Sequence, residues 1–397
     1  PPVSPGFIGS VSHSTKTQAQ HQCAESARSV ALVGHSAFES QFGKGYIESP
    51  VAAEVSRALP LFSRSARTSQ SAPMSTVEFR PLGSTGLQVS PIAMGCWPIA
   101  GVTSLGVTEA ESLATLKAAV DAGVNFFDTA YCYGYDGESE RLIHRALGHR
   151  REQLVLATKG GIHWENRRQA RDARPATLRQ QCEMSLSRLG TDHVDLLYLH
   201  APDPQVPLAE SAGVLLELQN EGKTRGVGLS NATVPQLEEF QRVCPLAAYQ
   251  PHYNMVQREI EGEILPWCRR HGVSVVVYWP LLKGLLAGQL PRSHVFPEGD
   301  GRKKYPMFQG VEWERNQNLV DDLRLIAREA GRTVAELVLN WTISQPGICA
   351  ALCGARRPGQ VEENARGMGW CLTSGQREAI EAALSRRGTP ISRGAVS

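Results

Sequence analysis

Eight times between residues 92 and 367, a short apolar run is followed by a longer segment of helical period. The apolar runs fall at 92–95, 124–128, 153–158, 194–199, 224–229, 246–250, 273–278 and 348–352. The helical segments fall near 108–122, 138–147, 175–189, 208–221, 234–243 and 260–271, then at 315–330 with 334–344, and at 358–367. Strand–helix alternation specifies a parallel sheet, because each helix carries the chain back so that the next strand runs the same way. Eight such units favour an α/β fold closed into a (β/α)8 TIM barrel. No GxGxxG follows any strand, which counts against an open dinucleotide-binding sheet.

Local signals agree with this pattern. Thr108 stands where a helix N-cap belongs, Glu111 follows three residues on, and Gly123 ends the segment. Pro175 opens a helix that stops before Gly190. Ahead of the first barrel strand, 77–80 and 87–89 flank Gly83-Ser84-Thr85-Gly86, which predicts an N-terminal β-hairpin.

Residues 1–73 differ in character: they are rich in Ser, Ala, Gln and Pro and keep no period. They read as a disordered leader, either a targeting segment or the product of a start placed too far upstream. Their six basic and four acidic residues fit a transit peptide only in part. Residues 74–397 then form the barrel domain.

A net charge of +2 gives no reason to expect nucleic acid or an acidic membrane as partner. The longest apolar run, near 273–282, is too short to span a bilayer. Nine cysteines, without a CxxC motif, read as free thiols in a reducing compartment. The expected setting is cytoplasmic, or organellar if the leader is a transit peptide.

In a TIM barrel, function gathers where the strands stop at their C-terminal ends. Those ends read Trp97, Asp128, Lys159, His200, Ser230 with Asn231, Gln250, Tyr278 and Gly354. A lone His after a strand is more often structural, and a lone Asp is more often a helix cap. Eight coincident ends are harder to set aside. Tyr133 follows Asp128 by five residues in a Gly-containing loop. A carboxylate at a core strand end needs a cation, and Lys159 is available. A phenol is a poor acid at neutral pH. Lys159 beside Tyr133 would favour the phenol's anion, with Asp128 keeping the ammonium charged and pointed. His200 would donate a hydrogen bond to a substrate carbonyl oxygen or hold a proton relay. The set suits protonation of a forming alkoxide, as in carbonyl reduction by hydride. Side chains supply no hydride, so a nicotinamide is implied.

Over residues 77–372 the chain resembles an aldo-keto reductase. The resemblance is carried by Gly-Ser-Thr-Gly-Leu-Gln-Val-Ser at 83–90, Asp128-Thr-Ala-x-x-Tyr133-Gly, Thr158-Lys159, and His200 after Asp195-Leu-Leu-Tyr-Leu. Gly-Val-Gly-Leu-Ser-Asn at 226–231 and the segment from Gly354 to Asn364 extend it. The resemblance implies Tyr133 as general acid/base, with Lys159, Asp128 and His200 as partners and NADPH as cofactor, without a metal. Ser230, Asn231 and Gln250 would bind the nicotinamide carboxamide, and Tyr278 would stack on its ring. Leu281 and Lys283 belong to a 281–310 segment that would fold over the pyrophosphate, although Lys283 also reads as a surface lysine. Arg356 and Gln360 match positions at the adenosine 2′-phosphate, Glu363 and Asn364 match positions at the adenine, and Arg357 could replace Arg356. A guanidinium there favours NADPH over NADH.

Trp97, Tyr135, Trp164 and Trp279 lie just past strand ends and could line a pocket for a small-molecule carbonyl, an aldehyde, ketone or sugar alike. Ala201 follows His200 where many relatives carry a bulky aromatic, which would widen the pocket there. Two rival readings differ in class. One is a cofactor-binding regulatory subunit with little or no turnover, distinguished by testing an aldehyde with NADPH. The other is a metal-dependent barrel hydrolase, which would need more His and carboxylates at the strand ends than His200 and Asp128.

Overall fold

A computed structural model describes residues 77–102 and 106–391. The reading of 1–73 as a leader lies outside them. Eight parallel strands close into a barrel: β1 (Ile92–Gly95), β2 (Phe126–Asp128), β3 (Val155–Gly160), β4 (Val194–Leu199), β5 (Thr224–Ser230), β6 (Ala248–Gln250), β7 (Ser274–Tyr278) and β8 (Ile348–Gly354). Each strand pairs with the next in sequence, and β8 closes on β1 with Gly354 opposite Gly95. The helices are α1 (Glu109–Asp121), α2 (Glu138–Leu147), α3 (Pro175–Leu189), α4 (Leu208–Asn220), α5 (Val234–Val243), α6 (Ile264–His271), α7 (Gly310–Glu329), α8 (Val334–Ile343), α9 (Pro358–Ala365) and α10 (Ser374–Arg387).

The two-residue period of a strand sorts the core into two layers. Phe126, Val155, Ala157, Leu196, Tyr198, Ala248, Val276 and Leu352 fill the barrel interior. Their neighbours Phe127, Leu156, Leu197, Leu199, Val275 and Val277 face outward and join the larger core shared with the helices. Helix starts are fixed by capping boxes, as expected at Thr108 with Glu111, and again at Thr233, Thr333 and Thr373.

The predicted hairpin is present but shorter, Arg80–Pro81 against Gln88–Val89. It closes the end of the barrel opposite the strand C-termini. Leu82 and Val89 enter the interior layer, and the Arg80 guanidinium donates to the carbonyls of Ile343 and Ile348 at 2.8 and 3.0 Å. Gly83 has a φ of +51°, and a Cβ there would run into the Ala247 carbonyl, so only glycine fits.

Three elements differ from expectation. The helix expected at 260–271 begins only at Ile264, after a 3₁₀ turn at Glu259–Glu261. A second hairpin, Ile162–Glu165 with Arg168–Arg171, rises after β3. Helix α10 follows the last expected segment and packs on α7, where Arg387 forms a buried ion pair of 2.5 Å with Glu312. Among the described residues, no helix is long and apolar enough to cross a membrane.

Candidate active site

The strand period that builds the interior also aims the polar ends. In β2, Phe126 points inward, so Asp128 does too; in β3, Val155 and Ala157 bring Lys159 to the same face. Asp128 and Lys159 are each 1% exposed. A lone buried charge would be strongly penalised, and the pair offsets part of that penalty. Lys159 Nζ lies 2.5 Å from Asp128 Oδ1, 2.7 Å from the Thr129 carbonyl oxygen and 3.1 Å from the Tyr133 hydroxyl. An ammonium has three N–H bonds, and these contacts use all three. Lys159 therefore reaches the mouth of the barrel only through the phenol.

Tyr133 is carried on the loop after β2, whose backbone is tied down. Tyr131 N–H donates to the Lys159 carbonyl, Tyr133 N–H to Ala130, and Ser139 N–H to Tyr133. The His200 ring stands edge-on to the Tyr133 ring, with centroids 5.9 Å apart. His200 N–H donates to the Gly160 carbonyl at 2.9 Å, extending β4 by one residue. All four sequence-predicted groups thus converge at one rim.

The Lys159 ammonium does not outweigh its surroundings: burial, then the Asp128 carboxylate, hold the Tyr133 phenol's titration well above its ordinary value. The site keeps a neutral O–H. Burial, helped by the Lys159 ammonium, pushes His200 well below its ordinary value, so its imidazole is neutral near pH 7. Burial also raises the Asp128 carboxyl against the opposing pull of Lys159 and Gln250.

The cofactor candidates at β5, β6 and β7 form one hydrogen-bonded wall. Ser230 Oγ donates to the Gln250 carbonyl at 2.8 Å. Asn231, with a φ of +57°, donates from Nδ2 to the His200 carbonyl and to Ser230 Oγ, both at 3.0 Å. Its Oδ1 accepts from the Tyr278 hydroxyl at 2.7 Å. Gln250 also donates from Nε2 to Asp128 Oδ2 at 2.9 Å, which ties this wall to the ion pair.

After β7 the backbone is strained, with positive φ at the non-glycine residues Trp279, Leu282 and Lys283. The Leu281 carbonyl accepts from Gly284 and Leu286. Lys283 Nζ lies 3.7 Å from the Trp279 ring centroid and 4.5 Å from that of Tyr305. Past β8, a Cβ on Gly354 would come within 2.7 Å of Pro98 Cγ, so this approach requires glycine. Arg356 N–H donates to Gln360 Oε1 at 2.9 Å. Arg357 instead turns toward Glu111, 3.5 Å away. Glu363 is half-buried and Asn364 buried on α9.

Of the four aromatic candidates for a substrate pocket, three gather and one does not. Trp97 packs edge-on to Tyr133 at 5.0 Å and stacks with Trp164 at 6.5 Å, and Trp164 meets Tyr135 at 4.9 Å. Trp279 packs on His252, Tyr278 and Tyr305. It belongs to the loop after β7, where its backbone is left-handed with a φ of +60°.

Sequence reasoning missed the contacts that brace this site from outside the strand ends. Thr158 donates to the buried Glu140 carboxylate at 2.7 Å, and Arg188 reaches the same group at 3.3 Å. From the second hairpin, Trp164 Nε1 donates to the Cys132 carbonyl at 2.9 Å, and Gln169 Nε2 points at Cys132 Sγ at 3.8 Å. Among the described residues, no three His, Cys, Asp or Glu side chains gather as a metal-binding group.

Comparison with known proteins matches residues 91–385 to the aldo/keto reductase family. The chain belongs to this family. An aldo-keto reductase of Bacillus subtilis, YhdN, is 37% identical over 311 residues, 78% of this chain and 94% of that protein. An NADH-specific methylglyoxal reductase of Escherichia coli is 32% identical over 300 residues, 72% and 91% of the two chains. The solved structure of a glycerol dehydrogenase from Gluconobacter oxydans superposes with a TM-score of 0.74 at 35% identity, covering 81% of this chain and all of that one. As a member of the family, this aldo-keto reductase is an NAD(P)H-dependent oxidoreductase with a (β/α)8 fold.

Proposed function

We propose that this aldo-keto reductase reduces a small aldehyde or ketone to an alcohol, with NADPH as hydride donor and Tyr133 as general acid. The observation that carries this reading is the Tyr133 hydroxyl held 3.1 Å from a Lys159 ammonium whose other two N–H bonds are already taken. The donor set fits a nicotinamide: an amide and a hydroxyl at Asn231 and Ser230 for a carboxamide, beside the flat Tyr278 phenol. When bound, the dihydronicotinamide supplies the hydride.

The protein's own groups do the rest. Tyr133 gives its proton to the carbonyl oxygen as that oxygen gains charge. Lys159 stabilises the phenolate left behind, and Asp128 and Gln250 keep Lys159 charged and aimed. Neutral His200 offers an N–H to the same oxygen and orients it. Trp97, Tyr135 and Trp164 form an aromatic wall over the phenol, suited to a small uncharged substrate. Two relatives bear names of small carbonyl or alcohol substrates, methylglyoxal and glycerol, which supports this size class.

The NADPH preference rests on Arg356, which has no ion pair among the described residues, whereas Arg357 is engaged with Glu111. Gln360, beside it, is tied to the Arg356 backbone, and Glu363 and Asn364 would meet the adenine. Lys283 and the backbone at Leu281 would meet the pyrophosphate. The buried free thiols Cys96, Cys182, Cys244 and Cys268 suit a cytoplasmic, reducing setting. The test is cofactor oxidation over a panel of aldehydes, ketones and sugars with NADPH and NADH. Turnover favouring NADPH is expected, and no turnover on any carbonyl would overturn the reading.

A further inference from the structure

The residue before the catalytic phenol is a cysteine held from three sides. Cys132 Sγ lies 3.7 Å from His200 Nδ1. On its other side, Gln169 Nε2 donates toward the same sulfur at 3.8 Å. Trp164 Nε1 fixes the Cys132 carbonyl at 2.9 Å. Both Gln169 and Trp164 come from the hairpin after β3, so that hairpin is connected through one thiol to the histidine of the site.

We infer that Cys132 is a positioning residue: its S–H donates to His200 Nδ1, so that the ring carries its proton on Nε2 and offers that N–H to the substrate carbonyl oxygen. The inference rests on the reductase reading for its consequence, but the hydrogen bond stands on the geometry alone. A neutral imidazole has one N–H and one bare nitrogen, and the partner of one nitrogen decides which is which. Gln169 occupies an acceptor position on the sulfur, which leaves the thiol proton to turn toward His200. Burial pushes the Cys132 thiol up to about 12, so it remains an S–H donor at neutral pH. His200, held below its ordinary range, has a bare nitrogen to receive it. An apolar side chain at position 132 would leave Nδ1 without this partner and the ring free to tip.

The test reads the histidine directly. In full-length protein labelled with ¹⁵N-histidine, the His200 resonances are assigned by their loss in His200→Gln. The expected wild-type pattern is a protonated Nε2 with a hydrogen-bonded, unprotonated Nδ1. In Cys132→Ala the Nδ1 resonance moves to the position of a nitrogen without a donor, and Cys132→Ser, whose hydroxyl reaches less far, falls between. Carbonyl-reduction kcat falls about two- to tenfold in the Ala variant, the effect of losing one ordinary hydrogen bond, with the NADPH Kd unchanged. Gln169→Leu, on the exposed hairpin, leaves the core intact and shifts Nδ1 the same way by less.

A wild-type Nδ1 that carries the proton overturns the inference, as does a Cys132→Ala spectrum identical to wild type. A protein that reduces no carbonyl yet shows the expected resonances would refute the reductase reading and leave the Cys132–His200 bond supported.

Discussion

Lys159 and Asp128 form a 2.5 Å ion pair in the closed interior of the barrel, and Lys159 meets the Tyr133 hydroxyl at 3.1 Å while Asp128 accepts from Gln250. On the proposed mechanism the buried charge acts on the phenol, so the groups that set the acid lie apart from the surface that would meet the substrate, and each partner's loss is distinguishable.

Lys159→Met leaves Asp128 buried without its cation. Removing one member of such a pair destabilises by about 3–5 kcal/mol. The expected result is a large fall in Tm on thermal unfolding. The double variant Asp128→Asn/Lys159→Met recovers much of that stability but no activity. A double variant no more stable than Lys159→Met would mean that the charge pair is not what sets stability here.

The pH profile follows from two shifted groups. As the proposed general acid Tyr133 must be protonated, and its titration lies well above the ordinary phenol value. Reduction rates at saturating cofactor are therefore expected to stay level up to about pH 10, the unperturbed value. His200 is shifted downward, so the unfolded chain takes up its proton before the folded one. Stability contributed by neutral His200 is present above about pH 6.5 and is lost as pH falls from there toward the folded value. Denaturation midpoints across that range check the sign, and His200→Gln should flatten this part of the curve.

Arg356→Ala is expected to raise KM for NADPH roughly ten- to a hundredfold, the range for losing charge-assisted hydrogen bonds, while KM for NADH changes little. Arg357→Ala, which breaks only an exposed contact with Glu111, should leave the ratio of the two intact. Equal losses for both cofactors in Arg356→Ala would assign the 2′-phosphate contact elsewhere.

Much of this architecture was legible because strands and barrels obey simple periods. The bounds of α2, α3, α5 and β4 coincide with the readings from apolar spacing and caps. Asp128, Lys159 and His200 were legible because a polar head after an apolar run is unusual. The hairpin after β3 was not, since its second strand is polar and largely exposed, and its turn uses Asn166 and Arg167 at positive φ without glycine. Helix α10 could have been found from Thr373 followed by Gln376, a capping box outside the eightfold pattern. The packing of Trp279 beside Tyr305 rather than with Trp97 was not legible, because position past a strand end does not reveal a left-handed backbone. The contact between Cys132 and His200 has no sequence signature, because it joins two loops whose spacing depends on the closed barrel.

The most direct measurement compares wild type with Tyr133→Phe, reading kcat/KM for a small aldehyde together with the Kd for NADPH. Removing only the proton donor should lower kcat/KM by about 10²–10⁴-fold and leave NADPH affinity within about twofold. A Tyr133→Phe enzyme that reduces the aldehyde at the wild-type rate would contradict the account, since the Lys159–Asp128 pair would then have no acid to serve.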